Sequence, residues 1–246
     1  MPRTRSLALP ELFLGLATLA VAAIVSVHIA ANTFKDIRHV RDTVSVTGSA
    51  RKPITADLVR WSLTVSSIAP TAPPAAKRLR AESEAVRAFL RAASIPANAI
   101  SPAVVTNEVI VERISKKKTR TRIRVAQRLD VGTRQIDVVE RVATRLGELI
   151  ERGIDVSAEP LAYISTELTQ AKLDALESAT ADARHRAEIL VRGLGGKLGP
   201  MRSSSLGVYQ VTPRDSTDVS DYGINDTSTR DKDVTAVVTA TFAAKR

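Results

Sequence analysis

The sequence contains no cysteine, three histidines and few aromatic residues, which make up 3% of the chain. Without cysteine, the chain can form no disulfide, no thiolate nucleophile and no cysteine-ligated zinc site. Scarce aromatic rings leave few surfaces on which the bases of single-stranded nucleic acid could stack. The composition therefore excludes several classes of redox and metal protein and argues against nucleic acid as a partner.

The histidines are also poorly placed for chemistry. His28 lies in an apolar N-terminal run, His39 follows that run, and His185 stands between two arginines of a predicted helix. A catalytic triad or a zinc site requires partners that converge on a histidine, and no motif in the sequence supplies them. We therefore predict no catalytic residue, no cofactor and no metal ion, and we expect a protein that is not an enzyme.

Two segments are similar to ligand-binding motifs but lack the residues or the spacing that those motifs require. The glycine-rich segment 193–199 has no Ser or Thr after its lysine, and its glycines follow a predicted helix instead of preceding one. We interpret it as a helix end and not as a phosphate loop. The polar segment Thr212 to Asp231 is rich in aspartate but lacks EF-hand spacing. We interpret it as a solvated loop, and the part of the domain most prone to disorder.

Positive charge is what the chain has in excess. It carries 36 Lys and Arg against 26 Asp and Glu, a formal net charge of +10. Apolar residues make up 44% of its 246 residues, which is enough to bury a core. A basic surface attracts anionic lipid, nucleic acid or acidic polymers through its long-range field.

The charge is most concentrated in the second strand of a predicted hairpin. Arginines occupy its even positions, and Ile123, Val125 and Leu129 occupy odd positions, so one face is basic and the other can be buried. Glu108 and Glu112 of the preceding strand could pair with the arginines. Because the lysines at the turn have no evident acidic partner, contact with anionic lipid or an acidic polymer is the functional alternative. The candidate contact residues are Lys116, Lys117, Lys118, Arg120, Arg122, Arg124 and Arg128.

The longest apolar run extends from Leu12 to Ala31. As a helix, its twenty residues would span about 30 Å, the thickness of the hydrocarbon core of a bilayer. A secretory signal has a shorter apolar core and a small-residue cleavage site, so we prefer a retained signal anchor, with a cleaved signal as the alternative. Arg3 and Arg5 predict a cytoplasmic N-terminus. The run thus predicts a single-pass protein of the inner (cytoplasmic) membrane, with its C-terminal domain in the periplasm or outside the cell.

Hydrophobic periodicity predicts the organisation of the remainder. Residues 1–11 form a cytoplasmic stub, 12–31 the transmembrane anchor, 32–42 a juxtamembrane connector and 43–246 one folded domain. Within this domain the pattern predicts the order β-β-α-β-β-α-β-α-β-β. Because strands and helices do not alternate strictly, we predict an α+β fold with mostly antiparallel sheet covered by helices, preceded by the transmembrane helix.

The bounds of five elements follow from the same spacing. One helix carries apolar residues from Ile136 to Leu149 on one face and ends at Gly153. One strand covers Ile154 to Ile164, and another covers Lys197 to Val211. The strand from Val234 to Phe242 is interpreted as a sheet edge. A long helix from Thr166 to Leu194 is expected to bury the stripe Leu176, Ala179, Ala183, Ala187, Leu190 and Leu194.

Four short segments, in two regions of the sequence, carry a resemblance to a known family. The sequences VSVTGSA at 44–50 and ADLVRW at 56–61, with ATADARHRAEIL at 179–190 and GGKLG at 195–199, resemble the SIMPL-domain family of bacterial envelope proteins. The resemblance includes periplasmic and outer-membrane immunogenic proteins, and in particular members with one N-terminal membrane span. It implies an exported protein of the cell envelope. Some members are described as oxidative-stress defence proteins, one assembles into a channel-like ring, and none has established catalytic residues.

These observations lead to two functional hypotheses. The first is a membrane-tethered, non-enzymatic envelope protein whose exported SIMPL-like domain forms a homo-oligomer, with a role in the envelope or in the response to oxidative stress. The alternative is a monomeric binding module that holds anionic lipid or glycan through the basic hairpin Lys116 to Arg128.

Overall fold

The computed structural model describes residues 17–27, 42–115 and 118–245. These residues form an α+β fold with two mostly antiparallel sheets. The elements, in chain order, are α1 (17–27), β1 (Thr43–Thr55), β2 (Leu58–Ala69), α2 (Ala72–Ala92), β3 (Ile100–Ser115), β4 (Lys118–Thr133), α3 (Ile136–Thr144), α4 (Gly147–Glu151), β5 (Asp155–Ala158), β6 (Ala162–Ile164), α5 (Leu168–Gly193), β7 (Lys197–Leu206), β8 (Gln210–Pro213), β9 (Ile224–Asn225) and β10 (Asp231–Lys245), with a 3-10 turn at Ala97–Ala99.

The predicted transmembrane helix is wrong. The described part of helix α1 covers eleven residues, which is roughly 16 Å at about 1.5 Å per residue, against about 30 Å for the hydrocarbon core of a bilayer. Across residues 17–27, 42–115 and 118–245, no helix is both long and apolar enough to cross a membrane. Residues 12–16 and 28–31 of the predicted anchor lie outside the described residues. The fold class is thus α+β without that helix, and the single-pass inner-membrane localisation is corrected as well.

The chain divides into two compact units. Among the described residues, the smaller unit comprises 17–27, 42–49, 179–206 and 238–245, and the larger comprises 50–115, 118–178 and 207–237. Strands β1 and β10 and helix α5 each contribute residues to both units. Each unit has its own cluster of buried apolar side chains.

The larger unit contains a five-stranded sheet with the order β3-β4-β2-β5, in which β6 also pairs with β2. Strand β2 confirms the predicted alternation, because Val59, Trp61, Leu63 and Val65 are buried while the residues between them are not. Such alternation places every second side chain on the core face of the sheet.

Helix α2 covers the core face of this sheet. It begins after Thr71 and carries proline in its first turn, as predicted, because proline lacks the N–H that an early helical position leaves unpaired. Its residues Leu79, Val86 and Leu90 are buried at the three- and four-residue spacing of one helix face.

In the smaller unit, a strand and a helix pack unusually closely. Val46 of β1 shares a core with Ala183 and Ala187 of α5 and with Phe242 of β10. A Cβ atom placed on Gly48 would lie 2.7 Å from Ala183 Cα, and closer still to Ala179 O and to Ala183 N. Only glycine fits at this position, because the obstructing atoms belong to backbone.

Helix α5 differs from the prediction in its buried stripe. Ala179, Ala183 and Ala187 are buried as expected, but Leu194 is 89% exposed, Leu190 is 51% exposed and Leu176 is only half-buried. The observed stripe repeats every four residues, and its small side chains permit the close approach of β1. It consists of Ala171, Ala175, Ala179, Ala183, Ala187 and Val191.

Three predicted elements are each divided in two. The helix predicted from Ile136 is interrupted after Thr144, where Arg145 and Leu146 donate to carbonyls three residues back instead of four. The strand predicted over 154–164 ends at Ala158, before Pro160, which has no N–H to continue a ladder. The strand predicted over 197–211 is separated into β7 and β8.

Two predictions about the C-terminal region are wrong. Strand β10 is central and not an edge, because it pairs with β1 on one side and with β7 and β8 on the other. The segment 212–231 is not disordered, since Gln210 and Val211 of β8 pair in parallel with Ile224 and Asn225 of β9. The moderately apolar residues on both faces of β10 are therefore explained by the burial of this strand, and not by an exposed sheet edge.

Candidate functional site

Strands β3 and β4 form a long hairpin whose outer end extends beyond the neighbouring strand β2. Strand β2 accompanies β4 only as far as the pair Ala69 and Ile123, whereas the pairing of β3 with β4 continues to Ser115 and Lys118. We call residues 109–115 and 118–123 the distal ribbon. Among the described residues, no third strand pairs with it beyond Ile123.

The hairpin has the two faces that the sequence predicts. Glu108 stands opposite Arg124 and Glu112 opposite Arg120, so these even-numbered residues share one face. Val109 stands opposite Ile123, and they share the other face with Val125, which is buried. Ile123 was expected to be buried, but it is only half-buried because it pairs with the last residue of β2.

The structure brings four of the predicted anion-contact residues together on one face, namely Lys118, Arg120, Arg122 and Arg124. Arg122 lies 3.8 Å from Glu112 and Arg124 lies 3.9 Å from Glu108. Such long, exposed pairs contribute at most some tenths of a kcal/mol. Lys118 and Arg120 form no ion pair within the described part of the chain, and Lys116 and Lys117 lie outside it.

Arg128 does not belong to this group. Its Nε lies 2.6 Å from Asp130 and its guanidinium 3.8 Å from Glu159. Asp130 also accepts a hydrogen bond of 2.7 Å from Ser62 Oγ. The bonds from Ser62 and then from Arg128 lower the pKa of Asp130, which makes this carboxylate unsuited to act as a general base near pH 7.

Sequence reasoning missed the exposed valines of the hairpin. Val109 is 61% exposed and Val111 is 62% exposed, and Val104 and Val105 in and beside a β-bulge are exposed too. Ile114 is exposed on the same strand. The sequence did contain a sign of these exposed valines. Apolar residues occur at both odd and even positions between 104 and 114, whereas a strand with one buried face alternates apolar with polar residues.

Strand β3 also presents an unpaired edge. It is the terminal strand in the order β3-β4-β2-β5, and within the described residues no strand pairs with its outer side. The N–H and C=O groups on that side are available to another strand. The hairpin thus combines an open edge, exposed valines and a basic face.

The acidic loop contains a buried ion pair that the sequence did not reveal. Lys232 Nζ lies 2.8 Å from Asp226 Oδ2 and 2.7 Å from Asp226 O, and the lysine side chain is only 3% exposed. Ser228 and Thr229 each donate a backbone N–H and a hydroxyl to the same carboxylate. Burial would raise the pKa of Asp226, but these hydrogen bonds hold it far below its usual range.

Asp57, in one of the motif segments, has a structural role. It accepts hydrogen bonds from Thr166 N at 2.7 Å and from Thr166 Oγ1 at 2.6 Å, and Arg134 lies 3.3 Å away. The bonds from Thr166 lower the pKa of Asp57. The residue therefore ties the start of β2 to the turn before α5.

The glycine-rich segment ends α5, as predicted. Gly195 has a φ of +77°, and Gly196 N donates to Val191 O at 2.9 Å, which is the bond pattern of a glycine helix cap. His185 is exposed on the same helix. The described residues contain no cluster of three potential metal ligands.

Comparison with known proteins gives one family. The family model SIMPL, described as "Protein of unknown function (DUF541)", matches residues 44–242. No curated protein matches the chain. Among solved structures, the chain is similar to one described as an aminohydrolase from methicillin-resistant Staphylococcus aureus, with 13% identity and a TM-score of 0.24, covering 56% of this chain and 39% of that chain. The chain thus covers well under two thirds of that protein, and a likeness of this size supports no argument about activity.

Proposed function

The chain belongs to the SIMPL family, and from that premise we propose that it is a non-enzymatic assembly protein whose SIMPL domain self-associates through strand β3. The membrane-spanning subgroup does not enter this proposal, because no described helix could span a bilayer. The wider roles that the family resemblance implies, in the cell envelope and in oxidative-stress defence, stay predictions.

The observation that supports the proposal is the open edge of β3 beside its exposed valines. A two-stranded ribbon is only marginally stable in water by itself, and an unpaired edge is a template for another strand. Antiparallel pairing of two β3 strands would satisfy both edges at once and place Val109 and Val111 of each copy on one continuous apolar face. A contact of this kind is self-complementary and closes as a twofold dimer.

The charge distribution is compatible with this pairing. The basic residues of the even face lie on β4, whereas β3 carries Glu108 and Glu112. In the order β4-β3-β3-β4, the two basic strands would be three strand spacings, about 14 Å, apart. This distance exceeds the Debye length of about 8–10 Å at physiological salt, so repulsion between them is largely screened.

We expect full-length protein in mild detergent to run as a dimer or larger species by size exclusion with light scattering. The double variant Val109→Lys, Val111→Lys should weaken association about tenfold or more, because an apolar cross-strand pair contributes up to about 1 kcal/mol and like charges placed opposite each other destabilise a sheet. Val219→Lys is the matched control, since Val219 is 83% exposed in a loop of the same unit. A wild-type monomer at about 0.1 mM, or equal association of both variants, would refute the proposal.

A further inference from the structure

We infer that the tip of the distal ribbon is a binding site for an anionic lipid surface, into which the apolar side chains of the tip insert. The inference concerns the two faces of the ribbon at its described end, residues 111–115 and 118–120. It does not rest on self-association through the outer edge of β3, and either proposal can fail without the other.

The first argument is the charge at the tip. Arg113, Lys118 and Arg120 form no ion pair within the described residues. The one acidic residue of the distal ribbon, Glu112, is directed toward Arg122 at 3.8 Å. A cluster of basic residues of this size is attracted to the negative potential of anionic headgroups.

The second argument is that apolar side chains are exposed on both faces of the ribbon. Val109 and Val111 lie on the odd-numbered face with Arg113. Ile114, the next residue, lies within the pairing irregularity between Arg113 and Ser115 and is exposed, and the alternation of a strand directs it to the other face. A folded protein partner covers one face of a ribbon and leaves the other in water. A lipid interface surrounds an inserted tip, so it accommodates apolar side chains on either face while basic side chains reach the headgroups.

The same features argue against other anionic partners. A soluble acidic polymer would pair with the basic residues but would not bury the valines or Ile114. Nucleic acid would need stacking surfaces, and the hairpin from Ile100 to Thr133 contains no aromatic residue. Apolar exposure together with clustered positive charge therefore favours a membrane surface.

The test uses a single fluorescent label at the tip. Because the chain has no cysteine, Thr119→Cys in the full-length protein can be labelled with a polarity-sensitive dye, and Val219→Cys provides the control position. We expect a blue shift at residue 119, and none at 219, on adding vesicles of equimolar phosphatidylcholine and phosphatidylglycerol. Vesicles of phosphatidylcholine alone should give little shift. A local label also separates insertion of the tip from any binding through the apolar N-terminal run.

Two sets of substitutions separate the two contributions. In the labelled protein, Lys118→Gln with Arg120→Gln should weaken the vesicle-induced shift about thirtyfold in lipid concentration, since each basic residue near the surface contributes a factor of about five. Val111→Ser with Ile114→Ser should reduce the size of the shift even at saturating lipid. Arg192→Gln, an exposed arginine of α5, should change neither.

Three outcomes would overturn the inference. One is a shift of equal size with soluble polyphosphate, which would indicate an acidic polymer. Another is a shift that follows protein concentration without vesicles, which would indicate a second copy of the chain. The third is no shift with any vesicle. Light scattering of the Val109→Lys, Val111→Lys variant without lipid tests self-association separately, so the two proposals are distinguished.

Discussion

Replacing Lys232 with methionine is expected to lower the free energy of unfolding by about 3–5 kcal/mol, because Asp226 is left as a buried charge without its counter-ion. The lysine ammonium lies 2.8 Å from the Asp226 carboxylate, and both side chains are almost inaccessible to water. Denaturant unfolding followed by circular dichroism measures the loss.

The exposed pair Lys52–Asp174 is the matched control. Its atoms are 3.3 Å apart and its side chains are 48% and 37% exposed, so Lys52→Met should cost less than about 1 kcal/mol. Combining Lys232→Met with Asp226→Asn should restore part of the stability, because the uncompensated charge is removed. Equal effects of Lys232→Met and Lys52→Met would show that burial of the pair does not determine its contribution.

The same pair predicts a pH dependence. The hydrogen bonds from Lys232, Ser228 and Thr229 outweigh the effect of burial and hold the pKa of Asp226 far below its usual range. Its stabilising contribution is therefore complete above the ordinary aspartate pKa of about 4 and is lost progressively as the pH falls below it. Unfolding midpoints should fall less steeply below about pH 4 in Asp226→Asn than in the wild type. Parallel curves would contradict this assignment.

Replacing Gly48 with alanine is expected to destabilise the protein by about 3 kcal/mol or more. The added methyl group would collide with Ala179 O and with the backbone N and Cα of Ala183. Backbone atoms cannot rotate away as a side chain can, so β1 and α5 would have to separate and lose contacts in the core around Val46. Thermal unfolding of the variant measures the effect.

Gly193→Ala is the control in the same unit. Nothing lies within 4 Å of a Cβ atom built on Gly193, and alanine is favoured over glycine in a helix. We expect this variant to be as stable as the wild type or slightly more stable. If Gly48→Ala were tolerated equally well, the close approach of β1 to α5 would be refuted.

Gly48 also explains why two separate stretches carried the family resemblance. The segment VSVTGSA contains Gly48. The segment ATADARHRAEIL contains Ala179 and Ala183, whose backbone atoms lie against Gly48. Ser49 N donates to Asp182 at 2.9 Å in the same region. The two motifs are therefore the two sides of one packing contact, which accounts for their lack of catalytic residue types.

The sequence alone determined the local elements and their faces. Period-two alternation in β2 predicted which side chains are buried, and the even positions of Arg120, Arg122 and Arg124 predicted their common face with Glu108 and Glu112. These features follow from backbone geometry within one or two strands, where neighbours in sequence or across a hairpin are fixed by the period of the element.

Only the tertiary structure decided which apolar residues are covered. Val234 and Phe242 are buried in β10, which has neighbouring strands on both sides, while Val109 and Val111 are exposed in the part of the hairpin that extends beyond the end of β2 at Ala69. Asp226 and Lys232 likewise meet where strand β8 pairs with both of their segments, since Asn225 pairs with Val211 and Lys232 pairs with Pro213. The hydrophobicity of a side chain determines how much free energy its burial would contribute. Whether the side chain is buried depends on the length and position of the distant elements that pack over it.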